Sequence, residues 1–330
     1  MNSALVSVVI PAFNAAATID DTLRSVRSQS HRNLEIIVVN DGSTHGTLSM
    51  ATNHAAQDRR IILVSQQNTG VAAARNAGWQ VATSGLIAFI DADDLWAPTK
   101  IERQLEVMLA GGERVGLVYT WFDVIDERNF IRFSVQGRRI SGDVIDHALR
   151  GNFVGNGSSP LIRRMALLEA GGYDPGLLKR SVHGCEDMLM YYRIARQFDF
   201  GVVPEQLTGY RVVSGRMSSN RPRMFASFRA VAHEMNAEYP QSNATIKSGI
   251  RSYLQFLVGE ALAFQDFAQV WPLLSPWVQE YPLDLLFLPL WIVGAKAEFH
   301  FSWMVRRLID RPRARDATRF SIGELQETAV

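Results

Sequence analysis

The sequence predicts an α/β protein built on a doubly wound sheet, followed by a helical appendage. Three observations carry that expectation. Four short apolar runs alternate with helix-length stretches over roughly the first 110 residues. Each run is rich in Val, Ile and Leu and lacks polar alternation, as in strands buried on both faces of a parallel sheet. Three of the runs end in polar turns, "PAFN", "NDGST" and "DADD". In a doubly wound sheet these open on one edge, where ligands bind.

The elements follow in order. Strands are expected at 5–10 ("LVSVVI"), 34–39 ("LEIIVV"), 60–64 ("RIILV") and 86–90 ("LIAFI"). Helices are expected between and after them, at 15–29, 45–57, 70–82 and 98–110. Thr18 and Asp21 have capping-box spacing, although Asp replaces the preferred Glu or Gln. Pro98 suits a first helical turn. Residues 111–220 read as a mixed region with strands at "VGLVYTWF", "FIRFSV", "DFGVVP" and "LTGYRVV", and a helix near 185–198. From residue 221 the pattern is helical and rich in aromatics, which divides the chain into 1–220 and 221–330.

Bulk properties exclude several classes. The 330 residues carry a formal net charge of +1, which gives no support for nucleic-acid binding. A single cysteine, Cys185, excludes an internal disulfide framework or a multi-cysteine zinc site and suits a reducing compartment. The N-terminus lacks the basic region of a signal peptide, and no run of 18 apolar residues is present. A cytoplasmic protein is expected, with contact at the inner face of the membrane as the alternative its C-terminal third raises.

The chemistry concentrates in "LIAFIDADDLWAPTK", where an apolar strand delivers Asp91, Asp93 and Asp94 to one point. Like charges about 4 Å apart repel by roughly 4 kcal/mol near a protein surface, so a cation is the natural resolution. "PAFNAA" lacks the G-x-G-x-x-G of dinucleotide sites, and "DGSTHG" lacks the Lys-Ser/Thr of a phosphate loop. Any phosphate must therefore be met by side chains and a metal. Hard carboxylate ligands suit Mg²⁺ or Mn²⁺.

Four blocks, "VSVVIPAFNAAATIDDTLRSVRSQ", "LEIIVVNDGST", "NTGVAAARNAGWQVATSGLIAFIDADD" and "CEDMLMYYRIA", together resemble the family 2 inverting glycosyltransferases of GT-A fold, of the bacterial surface-polysaccharide type. The resemblance covers about residues 4–215. It implies a nucleotide-diphospho-sugar transferase fold with a mixed sheet. It also implies an inverting, metal-dependent transfer from a nucleoside-diphosphate sugar, foremost a UDP-sugar, to a saccharide or lipid-linked saccharide. By that resemblance Pro11, Ala12 and Phe13 cradle the base, and Asp41 holds the base or ribose. Arg75, with Asn76 beside it, lies near the diphosphate. Asp91, Ala92 and Asp93 form the DxD motif, whose aspartates bind ribose and the Mn²⁺ or Mg²⁺ ion, with Asp94 sharing that duty. Asp187 is the catalytic base and Glu186 its neighbour.

Other readings stand beside these. A nucleotide-sugar-binding protein without catalysis is the alternative on the same fold. A nucleotidyltransferase would need a Gly-rich basic loop that "PAFNAA" does not supply. Cys185 reads as an inert thiol, and His183 as a local structural group close to the base. "GNGSSP" at 155–160 reads either as a plain loop or, by the resemblance, as a segment near the acceptor side. Many members of the resembled family carry a histidine after a "YR" pair, as a metal ligand or phosphate contact. Tyr210–Arg211 is followed by none, leaving either Arg211, Arg216 or Ser218 to contact phosphate or an extra water on the metal. Finally, 281–315 joins an apolar run and Trp291 and Trp303 to Arg306, Arg307, Arg311, Arg313 and Arg315. It reads either as a segment lying on an anionic membrane surface, or as an appendage packed on the catalytic domain or on a second copy in a homo-oligomer.

Overall fold

The structure is a computed structural model that describes residues 4–180, 182–212, 220–263, 265–282 and 318–325. Its centre is a nine-stranded mixed sheet. Strand β1 (Val6–Ala12) lies between β2 (Leu34–Asp41) and β4 (Leu86–Phe89), parallel to both, and β3 (Ile61–Gln66) adds in parallel outside β2. All four parallel strands therefore end on one edge. There the chain places Ala12, Asp41 and, just past β4, the Asp91–Asp94 turn.

The second half of the sheet is mixed. Strand β8 (Leu161–Arg163) runs antiparallel between β4 and β6 (Val115–Ile125). Strand β9 (Asp199–Arg211) pairs in parallel with β6 and holds the two-residue edge strand β5 (Leu95–Trp96). Strand β7 (Ile131–Val135) forms a hairpin with β6. The expected strands at "DFGVVP" and "LTGYRVV" are thus one strand, a correction with a local cause. The register jumps from Thr120↔Val203 to Trp121↔Gln206, so Pro204 and Glu205 lie in a bulge. A proline without an N–H is tolerated there.

Period-two alternation along β1 divides the core. Val8, Ile10, Ile36 and Val38 pack against helices α1 (Ile19–Arg27), α2 (Thr47–Gln57) and α4 (Lys100–Ala110). Val9, Ile37 and Val39 face the other way, toward α3 (Val71–Val81). On that second face the core continues through α5 (Ile145–Arg150), α6 (Arg164–Glu169), the short α7 (Gly176–Lys179) and α8 (Glu186–Ala195). It then runs on into α9 (Arg221–Glu238), α10 (Asn243–Ala263) and α11 (Val270–Glu280). Phe225, Phe228, Met235, Leu254 and Trp277 are buried in the same cluster as Phe89.

Two cap expectations are corrected. Thr18 precedes α1 without a side-chain cap; its hydroxyl donates instead to the Ala92 carbonyl at 2.9 Å. Pro98 lies outside α4, which starts at Lys100 after Thr99. The C-terminal region is not helical to its end. Residues 318–325 return as an extended strap, with Arg319 bridged to Phe130. Residues 283–317 lie outside the described residues, and with them most of the 281–315 segment and its arginines. Among the described residues, no helix is long and apolar enough to cross a membrane.

Candidate active site

The edge of the sheet opens into a cleft of about 360 Å³, within the range of small-molecule sites. Pro11, Ala12 and Phe13 line one wall, with Phe13 half exposed. Asp41 and the start of α3 form the floor, and residues 174–178 and 182–186 supply the rest of the lining. Asp41 is buried and bonded at both oxygens. Its Oδ1 accepts from Thr69 N (3.0 Å) and Gln66 Nε2 (2.8 Å), and its Oδ2 from Gly70 N (2.9 Å). It anchors the loop into α3, neutralising a helix N-terminus that would otherwise face the cleft bare. His183 also lines this cleft.

The turn after β4 is held from every side by its backbone. Thr18 Oγ1 donates to Ala92 O, and Thr22 Oγ1 donates to Asp94 O at 2.8 Å. Arg211 Nε donates to Asp93 O at 2.6 Å. Ser158 links two members of the turn, accepting from Asp91 N at 2.9 Å and meeting Asp94 Oδ2 at 2.5 Å.

The three carboxylates of the turn then have different fates. Asp94 is 1% exposed. Its second oxygen accepts from Arg211 N at 2.8 Å. Burial first, then the charges of Asp93 and Asp91, push its carboxyl well above the usual range. It points inward as an anchor of the turn, not outward as the open ligand expected from the sequence. Asp91 Oδ1 is taken by Arg75 Nη2 at 2.7 Å. Asp93 alone keeps a carboxylate that no other described residue bonds. Burial and the neighbouring Asp91 charge raise its pKa to about 6.

Arg75 is the centre of the site. Its side chain is 2% exposed, and its Nη1 donates to Glu186 Oε1 at 2.7 Å, the same distance as the bond from Nη2 to Asp91. Burial alone would depress this guanidinium, but Asp91 and Glu186 outweigh it and hold the group charged. The guanidinium also lies over the Tyr173 ring, 5.1 Å from its centroid. Gly157 makes the close packing possible, since a Cβ there would fall 2.6 Å from Arg75 Nη2.

Glu186 and Asp187 open α8 after a strained entry. Gly184 has φ +98°, and Cys185, with φ +64°, sits in the left-handed region that non-glycine residues seldom adopt. Such strain recurs where a site demands a particular aim. Glu186 turns to Arg75, whereas Asp187 accepts only from Asn152 Nδ2 (3.0 Å) and the backbone N of Met188 (2.7 Å). Burial, then the charge of Glu186, raises Asp187 to about 7. Burial pushes the Cys185 thiol up as well, which leaves it protonated and inert.

The structure therefore brings Arg75, Asp91, Asp93, Glu186 and Asp187 together, and sets Asp41 with Pro11–Phe13 in the adjoining cleft. Asn76 turns away, with its amide between Trp79 and the backbone of Tyr173. Arg211 also departs from expectation. It is 2% exposed; its Nε and Nη1 donate to the carbonyls of Asp93, Asp126 and Glu127 and to Asn129 Oδ1, and its buried Nη2 lies 4.0 Å from Asp21 Oδ2, so the side chain is committed inward. Arg216 and Ser218 lie outside the described residues. Sequence reasoning missed Asn152, which carried no motif, and the role of Ser158, whose "GNGSSP" loop was the one signal available.

Among the described residues, no three His, Cys, Asp or Glu side chains cluster as a self-sufficient metal site. The donor set still fits a hard divalent cation that takes one or two carboxylates and completes its shell with water and phosphate. Asp93 is bonded by no other described residue, and Asp91 has one oxygen outside the Arg75 pair.

Comparison with known proteins gives the family and the fold. The model of a family described as Glycosyl transferase family 2 matches residues 7–171, half of the chain. The putative teichuronic acid biosynthesis glycosyltransferase TuaG of Bacillus subtilis is 42% identical over 106 residues, covering 32% of this chain and 42% of TuaG. The chain spans only 35 to 42% of the length of the first curated relatives it matches. Among solved structures, S. aureus TarS 1–349 in complex with UDP-GlcNAc superposes with a TM-score of 0.56 at 17% identity, over 98% of this chain and 95% of that one. The mannosyltransferase PcManGT from Pyrobaculum calidifontis, in complex with GDP-Man and Mn²⁺, gives 0.52 at 18% identity, over 90% and 87%. At such identities the two structures establish the fold, which is GT-A.

Proposed function

The chain belongs to glycosyl transferase family 2, and we propose on that premise that it moves a sugar from a nucleoside-diphosphate sugar to an acceptor hydroxyl with inversion. One observation carries the reading. A single buried guanidinium pairs with one carboxylate in each of two acidic motifs and leaves a second carboxylate in each, Asp93 and Asp187, without a cationic partner among the described residues. The nucleotide lies in the cleft against Pro11, Ala12 and Phe13, with Asp41 at the base or ribose. The diphosphate reaches the Asp91–Asp93 turn, where Asp93, assisted by Asp91, would hold Mn²⁺ or Mg²⁺. When bound, such an ion stabilises the charge that develops on the leaving diphosphate.

Asp187 removes the acceptor proton as the new glycosidic bond forms. A carboxylate raised to about 7 suits that task, because a base near the working pH is both available and strong enough. Glu186 fixes the start of α8 through Arg75 and does not itself touch the reacting atoms. The catalytic work belongs to residues 1–220, and the helices that follow buttress it. A UDP-sugar is the preferred donor, as in the TarS complex, and a saccharide or lipid-linked saccharide of a surface polymer is the preferred acceptor class, in keeping with the name of TuaG.

A panel of nucleotide-sugars tests this with Mn²⁺, Mg²⁺ or EDTA present, scored by release of nucleoside diphosphate. Release with one donor, lost in EDTA, is the expected result. Donor binding without turnover in any condition would leave a nucleotide-sugar-binding protein, and equal turnover in EDTA would remove the metal from the account.

A further inference from the structure

Asp93 has an unusual mechanical position. Its carboxylate is bonded by no other described residue, so its placement is inherited from the backbone of the turn. That backbone is fixed on one side by Thr18, just before α1, and Thr22 of α1, and on the other by Arg211 Nε on Asp93 O. Arg211 is itself held by the β6–β7 turn, through the carbonyls of Asp126 and Glu127 and through Asn129 Oδ1 at 2.6 Å. Asn129 adopts φ +69° and steadies its amide on Asp21 Oδ2 at 2.9 Å.

The β6–β7 turn is in turn clamped by the far end of the chain. Phe320 N donates to Asn129 O at 2.8 Å, and Ile131 N donates to Thr318 O at 3.0 Å. Arg319 lies over the Phe130 ring at 5.5 Å. The Phe320 side chain is buried against Leu95 and Ile125. It fills the space left at Gly209, where a Cβ would come within 3.1 Å of its ring. Leu95 directly follows Asp94, and its strand β5 is two residues long. A strand so short on a sheet edge has little hold of its own, and Phe320 covers it. Beyond, Ser28 Oγ donates to Ile322 O, tying the strap to the end of α1.

We propose that residues 318–325 are a positioning strap for the donor site, acting through Phe320 on Leu95 and through Asn129 and Arg211 on the backbone of Asp93. The strap touches neither donor nor metal. It sets where the open carboxylate of Asp93 stands, so its loss weakens metal-dependent nucleotide binding and leaves the base cleft intact. The proposal rests on the donor-site reading above, because it concerns the same turn.

The test uses the full chain with the Phe320→Ala, Phe320→Leu and Asn129→Gly substitutions, and calorimetric titration with UDP in Mn²⁺ and in EDTA. Asn129→Gly keeps the left-handed backbone and the carbonyl that Phe320 uses, but removes the contact with Arg211, and so serves even if Phe320→Ala does not fold. Outer residues that orient metal ligands are typically worth about 10- to 100-fold in metal affinity. Phe320→Ala and Asn129→Gly should each weaken UDP binding in Mn²⁺ by about tenfold, leave UDP binding in EDTA unchanged, and raise donor KM more than they lower kcat. Phe320→Leu should restore most of the loss. Lowered thermal stability with unchanged Mn²⁺-dependent affinity in both variants would overturn the strap and leave the donor site standing. Absence of Mn²⁺-dependent UDP binding in the unmodified protein would overturn the donor-site reading itself, and the strap with it.

Discussion

The Asp91–Asp94 turn and the Glu186–Asp187 pair lie about a hundred residues apart in sequence and are built on opposite plans. The first caps a parallel strand and is held by its backbone; the second opens a helix through a strained left-handed entry. Their electrostatics nevertheless match. In each, one carboxylate is given to Arg75, and in each a neighbour without an ion-pair partner among the described residues has a raised pKa, about 6 for Asp93 and about 7 for Asp187. One guanidinium thus fixes two motifs in mutual register and leaves one working group in each. The difference in environment then separates their tasks. Asp93 stands beside another carboxylate, which favours a cation, whereas Asp187 stands among buried groups with an amide donor, which favours a poised base.

The largest effect should come from breaking the bridge. Arg75→Met leaves the buried Glu186 and the partly exposed Asp91 unpaired, and removing one partner of a buried ion pair costs about 3–5 kcal/mol. Urea denaturation should show that loss, and adding Glu186→Gln should recover part of it. Next, Asp93→Asn should weaken Mn²⁺-dependent nucleotide binding by about 10- to 100-fold. Asp94→Asn should instead lower stability by about 1–3 kcal/mol, through its internal bonds, with metal dependence kept. Equal metal effects for the two would dissolve the distinction between the open and the anchored carboxylate.

Asp187 makes a pH prediction whose sign can be worked through. Its folded pKa of about 7 exceeds the unfolded 3.8, so the folded state binds the proton more tightly between these values and loses stability as pH rises through them. Asp187→Asn should therefore raise Tm more at pH 8 than at pH 5, while the kcat/KM of the unmodified protein falls on the acid side of about 7. The smallest effect is expected at Asn152. Loss of its donor to Asp187 in Asn152→Ala should move that acid limb upward, by up to about one unit.

Much of this arrangement was legible before any coordinates. The four parallel strands are apolar on both faces, so their signal does not depend on long-range pairing, and the structure finds each within a residue or two of its expected limits. The joined β9 was not legible, because Pro204 reads as a break and only the partner strand shows that a bulge absorbs it. The strap escaped for a related reason. Its packing rests on Phe320 filling space at Gly209, more than a hundred positions away, and no local periodicity announces that. Three adjacent acids also look alike in sequence, and only the tertiary partners Ser158, Arg211 and Arg75 distinguish them. Arg211 was read as a phosphate contact from its type, yet its burial commits it to backbone carbonyls.

The central claim is that donor binding and proton removal are divided between Asp93 and Asp187, and one measurement addresses it most directly. Single-turnover transfer and donor affinity would be compared for the unmodified protein and Asp187→Asn, using the nucleotide-sugar that the panel identifies. General-base catalysis typically contributes about 10²- to 10⁴-fold. The account predicts a fall of about that size in the transfer rate, with donor affinity in Mn²⁺ unchanged within about twofold. Transfer at the unmodified rate, or a loss that appears entirely as weakened donor binding, would contradict it.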